Sequence, residues 1–106
     1  MTMALPPPAA CVVVDCLSLW VSNLVEAGWA DEAVEAEAAR TARAAAGRPG
    51  ATVVVSNEVG LGVVPATPLG RRYRDLLGRV NATFADAADE AVLVVAGRTL
   101  PLRAWA

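Results

Sequence analysis

The sequence contains no lysine and no histidine. All nine cations are arginines, set against eleven carboxylates. A phosphate-binding loop of the Gly-Lys-Ser/Thr kind needs its lysine at the β/γ-phosphates, and a nucleotidyl-histidine intermediate needs an imidazole, so neither can be built from this chain alone. A formal charge of −2 leaves no basic footprint for nucleic acid or for a membrane surface, and neither is expected as a partner. Uncharged runs are short as well: Asp15 and Glu26 bracket one of only ten residues, against the roughly 20 that span a bilayer. No basic residue precedes the apolar stretch near the N-terminus and Asp15 interrupts it, so a secretory signal is not expected. The two cysteines, Cys11 and Cys16, lie five apart, where a bridge would distort the backbone. Reduced thiols and a cytoplasmic location are expected.

What is present is a folding composition. The 106 residues are 56% hydrophobic, mostly Ala and Val, which suits thin helices on a sheet, and the length allows one core. Residues 1–9, with Pro6, Pro7 and Pro8 in a row, read as a linker or truncated end, leaving 10–106 as the domain.

Cys11 to Val14 is a β-branched run of the kind found in a strand buried on both faces of a parallel sheet. Leu17, Trp20, Val21, Leu24 and Val25 follow at helical spacing and Gly28 ends them. A second helix is expected from Asp31 as N-cap, with acids early, Arg40 and Arg43 late, and Gly47 and Pro49 as stops. Thr52 to Ser56 predicts a strand, Asn57 to Thr67 a Gly- and Pro-rich loop, and Pro68 to about Ala88 a helix with Leu69, Tyr73, Leu76, Leu77, Val80 and Phe84 on one face. Ala91 to Ala96 predicts a third strand, and Thr99 to Arg103 a short edge strand marked by Pro101. The fold class is therefore α/β: a mostly parallel sheet flanked by helices, with the carboxyl ends of the first three strands along one edge.

Ligands of open α/β sheets gather beyond such ends, where this sequence puts Asp15, then Ser56, Asn57 and Glu58. Asp15, directly after the apolar run, suits Mg²⁺ beside nucleotide phosphates, or else a strand-end turn or N-cap. Glu58 could bind a hydroxyl, a metal or a base, or cap a turn. Gly60-Leu61-Gly62 is no phosphate cradle, because neither a lysine nor a helix start follows. Arg71, Arg72 and Arg74 lie near the positive end of their helix, a cost that a bound phosphate would offset. The alternative is pairing of Asp75 with Arg71 and Arg79 at i,i+4 spacing. Gly78 is expected to mark a close helix contact.

Taken in order, Val12-Val13-Val14-Asp15-Cys16-Leu17-Ser18-Leu19-Trp20, Val55-Ser56-Asn57-Glu58-Val59-Gly60-Leu61-Gly62, Gly70-Arg71-Arg72-Tyr73-Arg74-Asp75-Leu76-Leu77-Gly78-Arg79-Val80-Asn81 and Ala87-Ala88-Asp89-Glu90-Ala91-Val92-Leu93 resemble the bifunctional adenosylcobinamide kinase / adenosylcobinamide-phosphate guanylyltransferase family. The resemblance spans residues 11–103. It implies the C-terminal part of a P-loop NTPase-like (RecA-like) domain. It also implies phosphorylation of adenosylcobinamide by ATP or GTP, then GMP transfer from GTP, with Mg²⁺ accompanying the nucleotide and a homo-oligomer as the assembly. Asp15 takes the acidic metal or nucleotide position, and Asn57, Glu58, Arg71 and Arg72 become the further nucleotide-binding residues. The family's Gly-Lys-Ser/Thr loop and guanylylated histidine lie upstream of the matched region. The isolated chain is accordingly expected to carry no catalytic residue of that family and to be inactive, a late start codon being the favoured explanation. A non-catalytic α/β binding module, or the split-gene partner of a separate P-loop chain, is the alternative.

Overall fold

The computed structural model describes residues 10–59, 62 and 65–104; the expected linker, residues 1–9, lies outside them. The elements are β1 (Val12–Asp15), α1 (Leu17–Glu26), α2 (Asp31–Ala46), β2 (Thr52–Val55), α3 (Pro68–Ala87), β3 (Ala91–Val95) and β4 (Arg98–Leu102). The order is that read from the sequence.

Each helix follows from its local chemistry. In α1 the apolar stripe Leu17, Trp20, Val21 and Leu24 is buried, and the chain leaves the helix through Gly28, whose φ of +87° is left-handed and suits a residue without a Cβ. In α2, Asp31 and Glu32 sit in the first turn and Arg43 in the last, each complementing the helix dipole. Its N-cap is Ala30 rather than the expected Asp31. The Ala30 carbonyl accepts the N–H groups of Ala33 and Val34, both at 3.1 Å, and the Asp31 carboxylate is engaged by α3 instead. At the start of α3 the Thr67 hydroxyl accepts the Gly70 N–H at 3.0 Å, a cap worth about 1 kcal/mol. A Cβ on Gly70 would come within 2.9 Å of both Pro65 Cβ and Thr67 Oγ1, so the tightness of this cap requires glycine.

The core is the meeting of three stripes: Leu17, Trp20, Val21 and Leu24 from α1, Val34, Ala38 and Ala42 from α2, and Leu76, Leu77, Val80 and Phe84 from α3. Trp20 and Phe84 meet edge to face with ring centroids 6.5 Å apart, a geometry the aromatic quadrupole favours. Gly78 lies outside this packing. A Cβ there would meet nothing within 4 Å, so the helix contact expected at Gly78 is not found among the described residues.

The sheet is less parallel than the sequence suggests. β1 and β2 pair in parallel, Val12 opposite Thr52 through Asp15 opposite Val55, but β3 pairs antiparallel with β4 in a separate two-stranded sheet. The three strand ends therefore do not share one edge. The antiparallel pairing has a local cause: Ala96 and Gly97 both have positive φ, 52° and 73°, the requirement of a two-residue hairpin turn, which returns the chain onto β3. β4 carries Pro101 and is exposed along its length, as an edge strand should be.

Among the described residues the parallel pair is also covered on one side only. Val14 and Val54 pack against the helical core, whereas Val13 and Val53 are 62% and 50% exposed. Burial of β1 on both faces, expected from its composition, is not found among the described residues. The helices occupy one face of a strand whose side chains alternate.

Candidate functional site

The parallel register brings the carboxyl ends of β1 and β2 side by side, with Asp15 directly opposite Val55. Asp15 is exposed. By alternation it shares the bare face with Val13, Val53 and Val55, away from the helices. Asn57 and Glu58 follow β2 and are exposed too.

Behind these ends lies a polar network on the helix side. Cys16, the N-cap of α1, places its Sγ 3.0 Å from Ser18 Oγ. Asn57 Nδ2 donates to the same Ser18 hydroxyl at 3.1 Å, and the Tyr73 hydroxyl donates to the Ser18 carbonyl at 2.9 Å. From α3, Asn81 accepts from Ser56 Oγ at 2.5 Å and donates to the Asn57 carbonyl at 3.0 Å. The ends of both strands, the start of α1 and the middle of α3 are thereby held in one arrangement. The buried Ser18 hydroxyl needs such partners.

This network changes two acidities. The hydrogen bond from Ser18 holds the Cys16 thiol below its ordinary value, assisted by the Leu19 backbone N–H and opposed by burial and by Asp15. Burial raises the Tyr73 phenol, and the charge of Cys16 adds to the effect. Tyr73 therefore stays a neutral donor.

The arginines are engaged across helices. Arg72 donates from Nε to Asp31 at 2.6 Å and from Nη2 to the Trp29 carbonyl at 2.9 Å. Arg79 bonds Glu35 at 3.0 Å and approaches Asp31 at 3.6 Å. Arg71 donates to the carbonyls of Pro65 and Ala66, both at 3.3 Å. Asp75 takes Arg74 at 3.0 Å, so the expected pairing of Asp75 with Arg71 and Arg79 does not form. Arg79 is taken by acids of the adjacent α2 and Arg71 by carbonyls of the loop before α3. An open depression lined by Glu58, Arg74, Asp75, Gly78, Arg79 and Ala82 runs from the β2 end along α3, with Glu58 as its link to the strand ends.

Of the residues singled out in the sequence, Asp15 ends β1 on the bare face, Asn57 turns to the helix-side network and Glu58 to the depression along α3, while Arg71 and Arg72 stand in the first turns of α3 with partners inside the chain. Ser18, Tyr73 and Asn81 were not anticipated. The one available signal was polarity at the rim of an apolar stripe, as for Asn81 one turn beyond Leu77. Gly60 and Leu61, part of the glycine motif, lie outside the described residues.

No group of three or more His, Cys, Asp or Glu side chains able to enclose a metal occurs among the described residues. Among the described residues no helix is long and apolar enough to cross a membrane.

Residues 2–102 match the profile described as cobinamide kinase / cobinamide phosphate guanyltransferase. The chain is 38% identical over 95 residues to the bifunctional adenosylcobalamin biosynthesis protein CobP of Pseudomonas aeruginosa, covering 88% of this chain and 53% of that protein. It is 36% identical over 102 residues to the bifunctional adenosylcobalamin biosynthesis protein CobU of Escherichia coli, covering 85% of this chain and 56% of the relative. The Salmonella typhimurium protein of the same name gives the same figures. The chain thus spans about half the length of the curated relatives it matches.

Proposed function

The chain belongs to the cobinamide kinase / cobinamide phosphate guanyltransferase family, and from that membership we propose that it supplies the strand-end half of an active site that phosphorylates adenosylcobinamide and then transfers GMP from GTP to the product. The observation that carries this reading is the parallel β1–β2 pair with Asp15 and the Asn57-Glu58 segment at its carboxyl ends, where nucleotides bind in open α/β sheets.

In this reading Asp15 would hold Mg²⁺ through its carboxylate. The ion would supply charge neutralisation at the nucleotide phosphates. Asn57, held by Ser18 and Asn81, and Glu58 would serve the nucleotide from the end of β2, and the exposed Arg71 guanidinium is the nearer of the two proposed arginines to being available for a phosphate. Arg72 would reach one only by giving up Asp31 or the Trp29 carbonyl. The lysine and histidine that the two reactions require are not in this sequence, so the chain by itself transfers no GMP and makes no cobinamide phosphate.

The test uses labelled GTP with adenosylcobinamide and Mg²⁺. Alone, the chain is expected to give neither protein-bound GMP nor labelled cobinamide product. Fused behind the portion of the P. aeruginosa relative that lies outside the match, it is expected to give both. Stable guanylylation of the isolated chain, or inactivity of a folded fusion, overturns the proposal.

A further inference from the structure

We propose that the open depression along α3 is the seat of the primary amides that ring the cobinamide substrate. The proposal deepens the reading above, in which cobinamide is the phosphoryl acceptor, and it rests on no catalytic step.

The depression has a volume of about 530 Å³ and is lined by Glu58, Arg74, Asp75, Gly78, Arg79 and Ala82, within the size range of small-molecule sites. Gly78 forms part of its floor and has no other explanation. It stands in the middle of a 20-residue helix, where glycine is less favourable than alanine. Packing does not require it, because a Cβ there would meet nothing within 4 Å. What the glycine provides is room: with Ala82 one turn further on, it keeps the helix surface low between the flanking charged side chains.

Those side chains select the ligand. Glu58 and Asp75 balance Arg74 and Arg79, so a phosphate entering the depression would meet two carboxylates as well as the guanidinium groups. Both arginines keep donors in reserve. Arg74 gives Nε and Nη2 to Asp75 Oδ1, and Arg79 gives Nε to Glu35 and turns Nη2 towards Asp31. Among the described residues the Nη1 groups of both and the Oδ2 atom of Asp75 have no partner. Donors and an acceptor set side by side suit a neutral group with both functions. A primary amide is such a group, its carbonyl accepting from a guanidinium while its NH₂ donates to a carboxylate. Cobinamide carries several of them around its corrin ring, and a shallow, open depression can take this rim while the ring stays outside. Glu58, which joins the depression to the strand ends, sets the side from which the hydroxyl arm of cobinamide meets the nucleotide.

Equilibrium dialysis of dicyanocobinamide against the full chain, without nucleotide or Mg²⁺, tests the proposal. Saturable binding is expected at about 1 mM or below, an affinity that a few polar contacts supply. Gly78→Leu fills the floor and is expected to weaken binding about tenfold while raising the thermal midpoint, since leucine is the better helix former. Loss of binding together with a gain in stability separates the role in the site from a folding defect. Asp75→Ala is expected to weaken binding about fivefold. Asp86→Ala, in the separate depression between α2 and α3, should change it less than about twofold. Dicyanocobyrinic acid, with carboxylates in place of the amides, should bind about tenfold more weakly, because it brings negative charge to Asp75 and Glu58. No saturable binding, equal affinity of Gly78→Leu and the parent, equal affinity for the acid, or displacement of dicyanocobinamide by GMP would each overturn the proposal. Binding by a chain whose folded fusion transfers no GMP refutes the catalytic reading alone, and GMP transfer by the fusion with no cobinamide bound along α3 refutes this one alone.

Discussion

Asn81 Nδ2 donates to the backbone carbonyl of Asn57 at 3.0 Å, tying the middle of α3 to a residue just beyond β2. The opposite atom of the same amide accepts from Ser56 Oγ, so one side chain secures two successive residues of the candidate site. Replacing Asn81 by Leu keeps the volume and removes both bonds, leaving the Asn57 carbonyl and the Ser56 hydroxyl without this partner. The expected loss is about 1–2 kcal/mol. Urea denaturation measures it, and faster amide exchange at Asn57 and Glu58 should accompany it. Unchanged stability and exchange would mean that the amide organises nothing.

Arg72 joins the start of α3 to the start of α2 through Asp31 and the Trp29 carbonyl. Arg72 and Asp31 are about a third exposed, 37% and 31% by side chain, so solvent screens the pair and its coupling should stay below about 1 kcal/mol. A double-mutant cycle with Arg72→Ala and Asp31→Ala reads that coupling. Because Arg79 also approaches Asp31, Asp31→Ala should cost slightly more than Arg72→Ala. The reverse order would show that the Trp29 carbonyl, rather than the ion pair, is the main contact.

These residues show how far the sequence alone reaches. The stripes of α1 and α3 were legible because a period of 3.6 marks both the helix and its buried face. The strands were legible as strands, but a run such as Val12-Val13-Val14 carries no record of its partner or of how many faces are covered. The pairing of β3 was settled by backbone at Ala96 and Gly97. Arg72 was legible as a cation at the wrong end of a helix, but its partner Asp31 lies 41 positions away, beyond any rule of local spacing. That Asp15, Asn57 and Glu58 follow the two parallel strands was legible from the strand boundaries; the side chains that hold Asn57, those of Ser18 and Asn81, were not.

Cys16 offers a test in a single titration. Its thiol is held below the ordinary value chiefly by the Ser18 hydroxyl, so the thiolate persists to lower pH and alkylation of Cys16 should begin there. Ser18→Ala removes the main cause and should move the pH profile of alkylation upward, reducing the rate at neutral pH, with Cys11→Ser in the background so that only one thiol reports. A profile that does not move in Ser18→Ala, or moves downward, would show that the hydroxyl does not stabilise the thiolate.

Asp15→Asn separates the metal role from a structural one. The side chain is exposed and the replacement keeps its shape, so stability of the isolated chain should change by no more than about 0.5 kcal/mol. In the fusion carrying the P. aeruginosa portion, the same change removes the one charge that β1 offers to Mg²⁺. Turnover there should fall about a hundredfold, equivalent to ~2.7 kcal/mol, and the Mg²⁺ concentration for half-maximal rate should rise. Assembly has to be verified by hydrogen exchange at β1 and β2 in the same sample, because Asp15 also lies on the exposed face of the parallel pair. A strand-end aspartate with only a structural task would give the opposite pattern, lost stability with little change in the turnover of the folded fraction. Unchanged turnover and unchanged Mg²⁺ dependence would remove Asp15 from the site and pass the metal role to Glu58, the remaining exposed carboxylate at the strand ends.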